Sequence, residues 1–334
     1  MSSQAFNNQY PGKFYLTEDL QDLISYLSKI NFLHPNERLL SVEKPGEGNM
    51  NKVLRLQTNE RTCIIKQARP WVEKYPTIEA PVERNSIEAR YYSAISENIT
   101  LQQYSPQLKH HDPENFIMML SDLGSGADFL WMYDREKRLD GASIVALAKY
   151  LNELHQIPIQ DFPLNMKMRK LNHEHIFHFP FVIDNGFNLD DVQLGLEQLK
   201  QKYAENRELV QNITRLGNQY LESGSILVHG DFYPGSWIDT TDGLKVIDPE
   251  FCFPGFQEFD LGVFIAHMNL TNQLESNANL LFDHYRLAYN NHLVYQIAGV
   301  EIMRRLIGVA QLPLKISIGE KEALMDKAVN WILA

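Results

Sequence analysis

Apolar and polar residues alternate over three short stretches near the N-terminus, residues 38–43, 52–57 and 61–67. A period of two puts every second side chain on one face, so each stretch is expected as a half-buried strand. The last two are joined by a tight turn at Asn59-Glu60, and the first two by the loop PGEGNMN, residues 45–51. After Pro81 the pattern changes. In VERNSIEARYYSAI, Val82, Ile87 and Tyr91 fall at helical spacing, which predicts a helix packed on the sheet. Two further strands are expected at 107–111 and 116–120, separated by the turn residues Asp112-Pro113-Glu114-Asn115.

From Ser121 onward the reading is largely helical: residues 141–156, stretches within 189–222, and almost everything after 257. One island breaks this run, residues 225–254, where strand-like segments alternate with turn residues. It carries His229-Gly230-Asp231 and, seventeen positions after Asp231, Asp248-Pro249-Glu250. A hairpin turning near Asp242-Gly243 would return the second acidic cluster beside the first. Converging carboxylates suit phosphoryl transfer, in which one orients and deprotonates a hydroxyl while others hold Mg²⁺ against a triphosphate.

Composition narrows the class. A chain of 334 residues, 44% apolar and 22% charged, is in the globular range and long enough for two lobes. A formal charge of −11 gives no general attraction for nucleic acid or anionic lipid. Cys63 and Cys252 are too few for a disulfide framework, and no apolar run approaches a membrane span or a secretory leader. A cytoplasmic location is expected.

HGDFYPGS followed by VIDPE resembles the catalytic and metal-binding loops of the aminoglycoside phosphotransferase and choline kinase superfamily, within it most of all the methylthioribose kinases, which share Ser at position 236. IIKQARPWV at 64–72 and EIMRRLIGVA at 301–310 agree with that resemblance. It implies an α+β, protein-kinase-like fold of two lobes. Residues 1–121 would form the N-terminal lobe, a five-stranded antiparallel sheet plus helix, and 122–334 a mainly α-helical C-terminal lobe. It also implies an ATP- and Mg²⁺-dependent kinase of a small-molecule hydroxyl acceptor, 5-methylthioribose at its anomeric hydroxyl, and a homodimer. Ser121 and the absence of a full G-x-G-x-x-G depart from the family pattern.

The resemblance makes Asp231 the catalytic base and puts Asp248, Glu250 and Ser236 on Mg²⁺. Lys66 would contact ATP phosphates, held by an ion pair to Glu88. The loop residues Gly46, Gly48, Asn49 and Asn51 would cover the phosphates, and Leu120, Asp122 and Leu123 would flank the adenine. Arg304 and Arg305 match a paired arginine serving the acceptor. Consecutive helical residues point roughly 100° apart, so at most one is expected to touch the acceptor directly.

Several residues have plainer readings. Glu250 also fits a structural carboxylate, Glu88 a surface position, and the arginine pair a solvated helix face. His229 is expected to be buried scaffold. His173, His175 and His178 in HEHIFH match no common zinc spacing and are placed at a surface or pocket rim. Kinases of aminoglycosides, choline, fructosamines or homoserine, a non-catalytic nucleotide-binding relative, and a metal-dependent hydrolase remain open alternatives.

Overall fold

The computed structural model describes residues 3–46 and 50–334. It divides into two compact units, Met1–Ser125 and Gly126–Ala334. In the first, α1 (Ser3–Gln9) and α2 (Leu20–Lys29) precede β1 (Leu39–Glu43), β2 (Lys52–Thr58) and β3 (Thr62–Gln67). Then come α3 (Arg84–Ala94), α4 (Ile99–Tyr104), β4 (Leu108–Asp112) and β5 (Ile117–Ser121). The strands form one antiparallel sheet in the order β1-β2-β3-β5-β4.

Period-two patterning explains the faces of this sheet. Leu54, Leu56, Cys63, Ile65, Ile117 and Met119 share a buried cluster with Leu23, Tyr26 and Leu27 of α2. Lys66 and Met118, partners across β3 and β5, alternate with those residues and so lie on the opposite face. The β2–β3 turn at Asn59-Glu60 is closed by Thr58, whose Oγ1 accepts from Glu60 N at 3.1 Å and from Arg61 N at 2.9 Å. The helix read from residue 82 starts at Arg84, because Pro81, Val82 and Glu83 form a turn in which Arg84 N donates to Pro81 O.

The second unit holds β6 (Gly126–Asp128), α5 (Gly141–Leu154), α6 (Met166–His173), α7 (Leu196–Ala204) and α8 (Arg207–Leu221). The irregular island supplies β7 (Ile226–Val228), β8 (Trp237–Thr240), β9 (Gly243–Val246) and β10 (Phe253–Gly255). The chain ends in α9 (Glu258–Leu270), α10 (Leu274–His284), α11 (Asn291–Ile307) and α12 (Ile318–Leu333). Side-chain oxygens cap α5, α8 and α11 through Asp140, Asn206 and Asn290, and Ser317 with Glu320 forms a capping box on α12.

Every residue of α9 is buried. A helix enclosed on all sides is a core element, and Gly262 brings it against α11. A Cβ at Gly262 would lie 2.7 Å from Ile297 Cβ. The expected division, an antiparallel sheet followed by a mainly helical half, is the one observed. A strand that the largely helical reading after Ser121 did not include is β6, which pairs with β8 in a three-stranded sheet, β6-β8-β9. A three-residue strand is too short to carry a periodic signal. Among the described residues, no helix is long and apolar enough to cross a membrane.

Candidate active site

The hairpin of β8 and β9, with Trp237 opposite Val246 and its turn ending at Gly243, returns the chain toward the His229-Gly230-Asp231 loop. His229 joins the two acidic segments: its Nε2 donates to Ile247 O, 3.0 Å away. The carbonyl can only accept, which assigns the hydrogen to Nε2. Burial lowers the pKa of His229, consistent with a neutral ring. Ile247 N in turn donates to Ser236 O at 2.9 Å. Gly230 has φ +84°, and a Cβ there would lie 2.3 Å from Phe251 O, so glycine is required both by the backbone and by the close approach.

A carboxylate from the buried helix α9 fixes this loop from beneath. Asp260 Oδ2 accepts from His229 N at 2.7 Å and Oδ1 from Gly230 N at 3.0 Å. His155 Nε2 lies 3.2 Å from Asp260 Oδ2, and Tyr285 Oη 2.8 Å from His155 Nδ1. Bonds from backbone N–H to a buried carboxylate are charge-assisted and well suited to holding a loop rigid.

Asp231, so positioned, faces a cluster of charge from α11. Arg304 Nη2 lies 3.4 Å and Arg305 Nη2 3.3 Å from the same oxygen, Asp231 Oδ1. Both arginines are buried. The reading of the pair as a solvated helix face is corrected, because both are enclosed. The two side chains leave the helix in different directions, but Glu301, one turn N-terminal, gathers them. It receives Nε and Nη2 of Arg304 and, at 2.8 Å, Nε of Arg305. His267 Nε2 donates to Glu301 Oε1 at 3.1 Å, and Tyr133 Oη donates to His267 Nδ1 at 2.7 Å. The Arg305 guanidinium also stacks 4.5 Å from the ring centroid of Tyr233.

The electrostatics follow from this packing. Burial raises the pKa of Asp231, while Arg305 and Arg304 pull it back. For Glu301 burial also opposes ionisation, yet the two arginines prevail and hold it well below the usual carboxylate range. Burial lowers His267 to about 4, against the pull of Glu301, so the ring is neutral at pH 7.

Asp248 adopts a left-handed backbone, φ 61° and ψ 50°. A non-glycine residue there costs on the order of 1 kcal/mol and persists where surrounding structure imposes it. Glu250 is buried, and its carbonyl accepts from Asn165 Nδ2 at 3.0 Å. Ser236 Oγ donates to Asp231 O at 2.8 Å. Asp248, Glu250 and Ser236 each offer oxygen, the donor type that a hard divalent cation such as Mg²⁺ takes.

In the first unit, Lys66 Nζ lies 2.7 Å from Glu88 Oε1, and both side chains are buried. Asn51 begins the approach to β2, and its Oδ1 accepts from Arg84 Nε at 3.0 Å. Gly46 follows β1, whereas Gly48 and Asn49 fall outside the described residues. Leu120 is buried on β5, and Leu123 is half-buried just after it. Asp122 is paired with Arg55, Oδ2 to Nε at 2.8 Å, and also accepts from Gly124 N at 3.0 Å.

Sequence reasoning missed Glu301, His267, Tyr133, Asp260 and His155. A signal existed for three of them. Asp260 and His267 are polar interruptions in the enclosed helix α9, and Glu301 stands three and four positions before the arginines, within reach along one helix face.

Comparison with known proteins adds to this geometry. The phosphotransferase enzyme family profile matches residues 41–291. The chain is 25% identical to a methylthioribose kinase of Bacillus mycoides over 72% of this chain and 63% of that protein, so it spans less than two thirds of that relative's length. It is 24% identical to a methylthioribose kinase of Bacillus cereus over 83% of this chain and 81% of the relative. A solved spectinomycin phosphotransferase, in complex with ADP and spectinomycin, matches 95% of this chain and 98% of its own at 14% identity with a TM-score of 0.54. At that identity the likeness concerns the fold, which is the protein-kinase-like one expected.

Proposed function

The chain belongs to the phosphotransferase enzyme family, and from that premise we propose that it transfers the γ-phosphoryl group of ATP to a hydroxyl of a small neutral sugar, with 5-methylthioribose at its anomeric hydroxyl as the acceptor. Asp231 takes the proton of that hydroxyl as its oxygen bonds to the γ-phosphorus and the bond to the β-phosphate oxygen breaks, releasing ADP. The burial that raises the Asp231 pKa makes it a better base than an exposed aspartate. Arg304 and Arg305 orient the acceptor and stabilise charge developing beside Asp231. Lys66, held by Glu88, contacts the α- and β-phosphates. Gly46, Gly48, Asn49 and Asn51 cover the phosphates, and Leu120, Asp122 and Leu123 flank the adenine. Asp248, Glu250 and Ser236 hold Mg²⁺, which when bound neutralises charge on the triphosphate.

On this reading residues 1–121 serve the nucleotide and 122–334 catalysis and the acceptor. A cytoplasmic location and the lack of a nucleic-acid or membrane partner accord with the net charge of −11 and with the buried Cys63 and Cys252; a homodimer rests on the family resemblance alone.

The observation that carries the proposal is the paired guanidinium contact with the base. Arg304 and Arg305 are balanced by Glu301 and Asp231, so the cluster sums to zero charge and offers a cation no net attraction. That favours a neutral polyol over choline or a polycationic aminoglycoside. The test is ATP-to-ADP turnover by purified protein with Mg²⁺ across methylthioribose, choline, aminoglycosides, fructosamines and homoserine. Turnover with methylthioribose supports the proposal, and turnover with a cationic acceptor alone refutes the substrate assignment.

A further inference from the structure

Glu301 shares the arginine pair with Asp231. It is buried, and both its oxygens are engaged: Oε1 accepts from Arg305 Nε, Arg304 Nη2 and His267 Nε2, and Oε2 from Arg304 Nε. Arg305 therefore gives Nε to Glu301 and turns Nη2 toward Asp231 Oδ1, while Arg304 gives Nε to Glu301 and shares Nη2 between Glu301 Oε1 and Asp231 Oδ1. A guanidinium is a planar fork, so fixing Nε sets where Nη2 points.

Two long side chains leaving a helix about 100° apart do not meet at one oxygen by default, and each has many rotamers to lose. The i−3 and i−4 spacing of Glu301 lets one carboxylate reach both. His267, from α9, and Tyr133, from the segment after β6, set the orientation of that carboxylate through two successive hydrogen bonds.

We infer that Glu301 is a positioning residue of this site: oriented by His267, it holds the guanidinium groups of Arg304 and Arg305 on a single oxygen of Asp231. Its hydrogen bonds run to Arg304, Arg305 and His267, and it acts through the arginines. The kinetic consequence rests on the kinase reading above; the placement of the arginines does not.

The experiment is therefore read in two ways on the full chain. Arginine Nε–H groups bonded to a buried carboxylate exchange slowly with water and give resolved ¹⁵N–¹H signals, which R304K and R305K assign. In Glu301→Gln both signals are expected to lose protection by about tenfold or more as charge-assisted bonds are lost. With an acceptor that is turned over, kcat/KM for that acceptor falls by about 10²-fold, since a misplacement near 1 Å has that effect, while KM for ATP stays within about twofold. Retention of both signals overturns the inference, as does a KM for ATP that rises in step with that of the acceptor. If no acceptor is turned over, the kinase reading fails and the arginine signals decide alone. Should Glu301→Gln not fold, His267→Gln, which retains a donor, is expected to keep the signals that His267→Leu loses. Equal signals in those two variants overturn the inference.

Discussion

Replacing Asp260 by asparagine isolates what anchors the catalytic loop. The carboxylate is fully enclosed and accepts from His229 N at 2.7 Å, Gly230 N at 3.0 Å and His155 Nε2 at 3.2 Å. Oδ2 serves two of these donors, so the amide nitrogen of Asp260→Asn best takes the place of Oδ1, facing Gly230 N. Donor then meets donor. One charge-assisted bond is lost, worth about 1.5–3 kcal/mol, and a buried N–H is left unsatisfied, costing about 1–3 kcal/mol more. These effects overlap, and a net loss of about 3 kcal/mol follows. For a cooperative unit of 150–250 residues, that lowers Tm by about 6–12 °C. Because the displaced backbone carries Asp231 one residue further on, kcat is expected to fall by about 10²-fold. Thermal melts and turnover of the variant, set beside the exposed substitution Asp239→Asn as control, measure both. A variant melting within about 2 °C of the parent with unchanged turnover would refute the anchoring argument.

Asp231→Asn is expected to lower kcat by about 10²–10⁴ while nucleotide affinity, read by calorimetry, stays near the parent value. Asp248→Asn removes one carboxylate from the oxygen set, so turnover is expected to need at least about tenfold more Mg²⁺, measured by magnesium titration. Acid stability should follow His267, whose folded pKa lies near 4 and whose unfolded value is 6.5. Between those values the unfolded chain binds more protons. Stability is therefore complete above about pH 6.5 and declines as pH falls toward 4, by up to about 3 kcal/mol. Urea unfolding at pH 7 and 4.5 should show this decline in the parent and a smaller one in His267→Gln.

The sequence alone determined what local patterning encodes. Alternation at 52–57 and 61–67 gave two strands and the turn between them, because a strand with one buried face must repeat every second residue. The HGD and DPE clusters and the hairpin between them were legible because Gly243 and the strand pattern act over a few residues. What only the tertiary structure decided lies at long separation: Asp231 meets Arg304 across 73 residues, and Tyr133 meets His267 across 134. Periodicity can mark Asp260, His267 and Glu301 as polar residues inside apolar helices, but it does not name their partners. It reports which side of an element is buried, and the partner is chosen by how α9, α11 and the loop after β7 pack. The same holds for the arginines. Helix geometry sent them apart, and a carboxylate one turn away, held by a histidine from another helix, brought them to one oxygen.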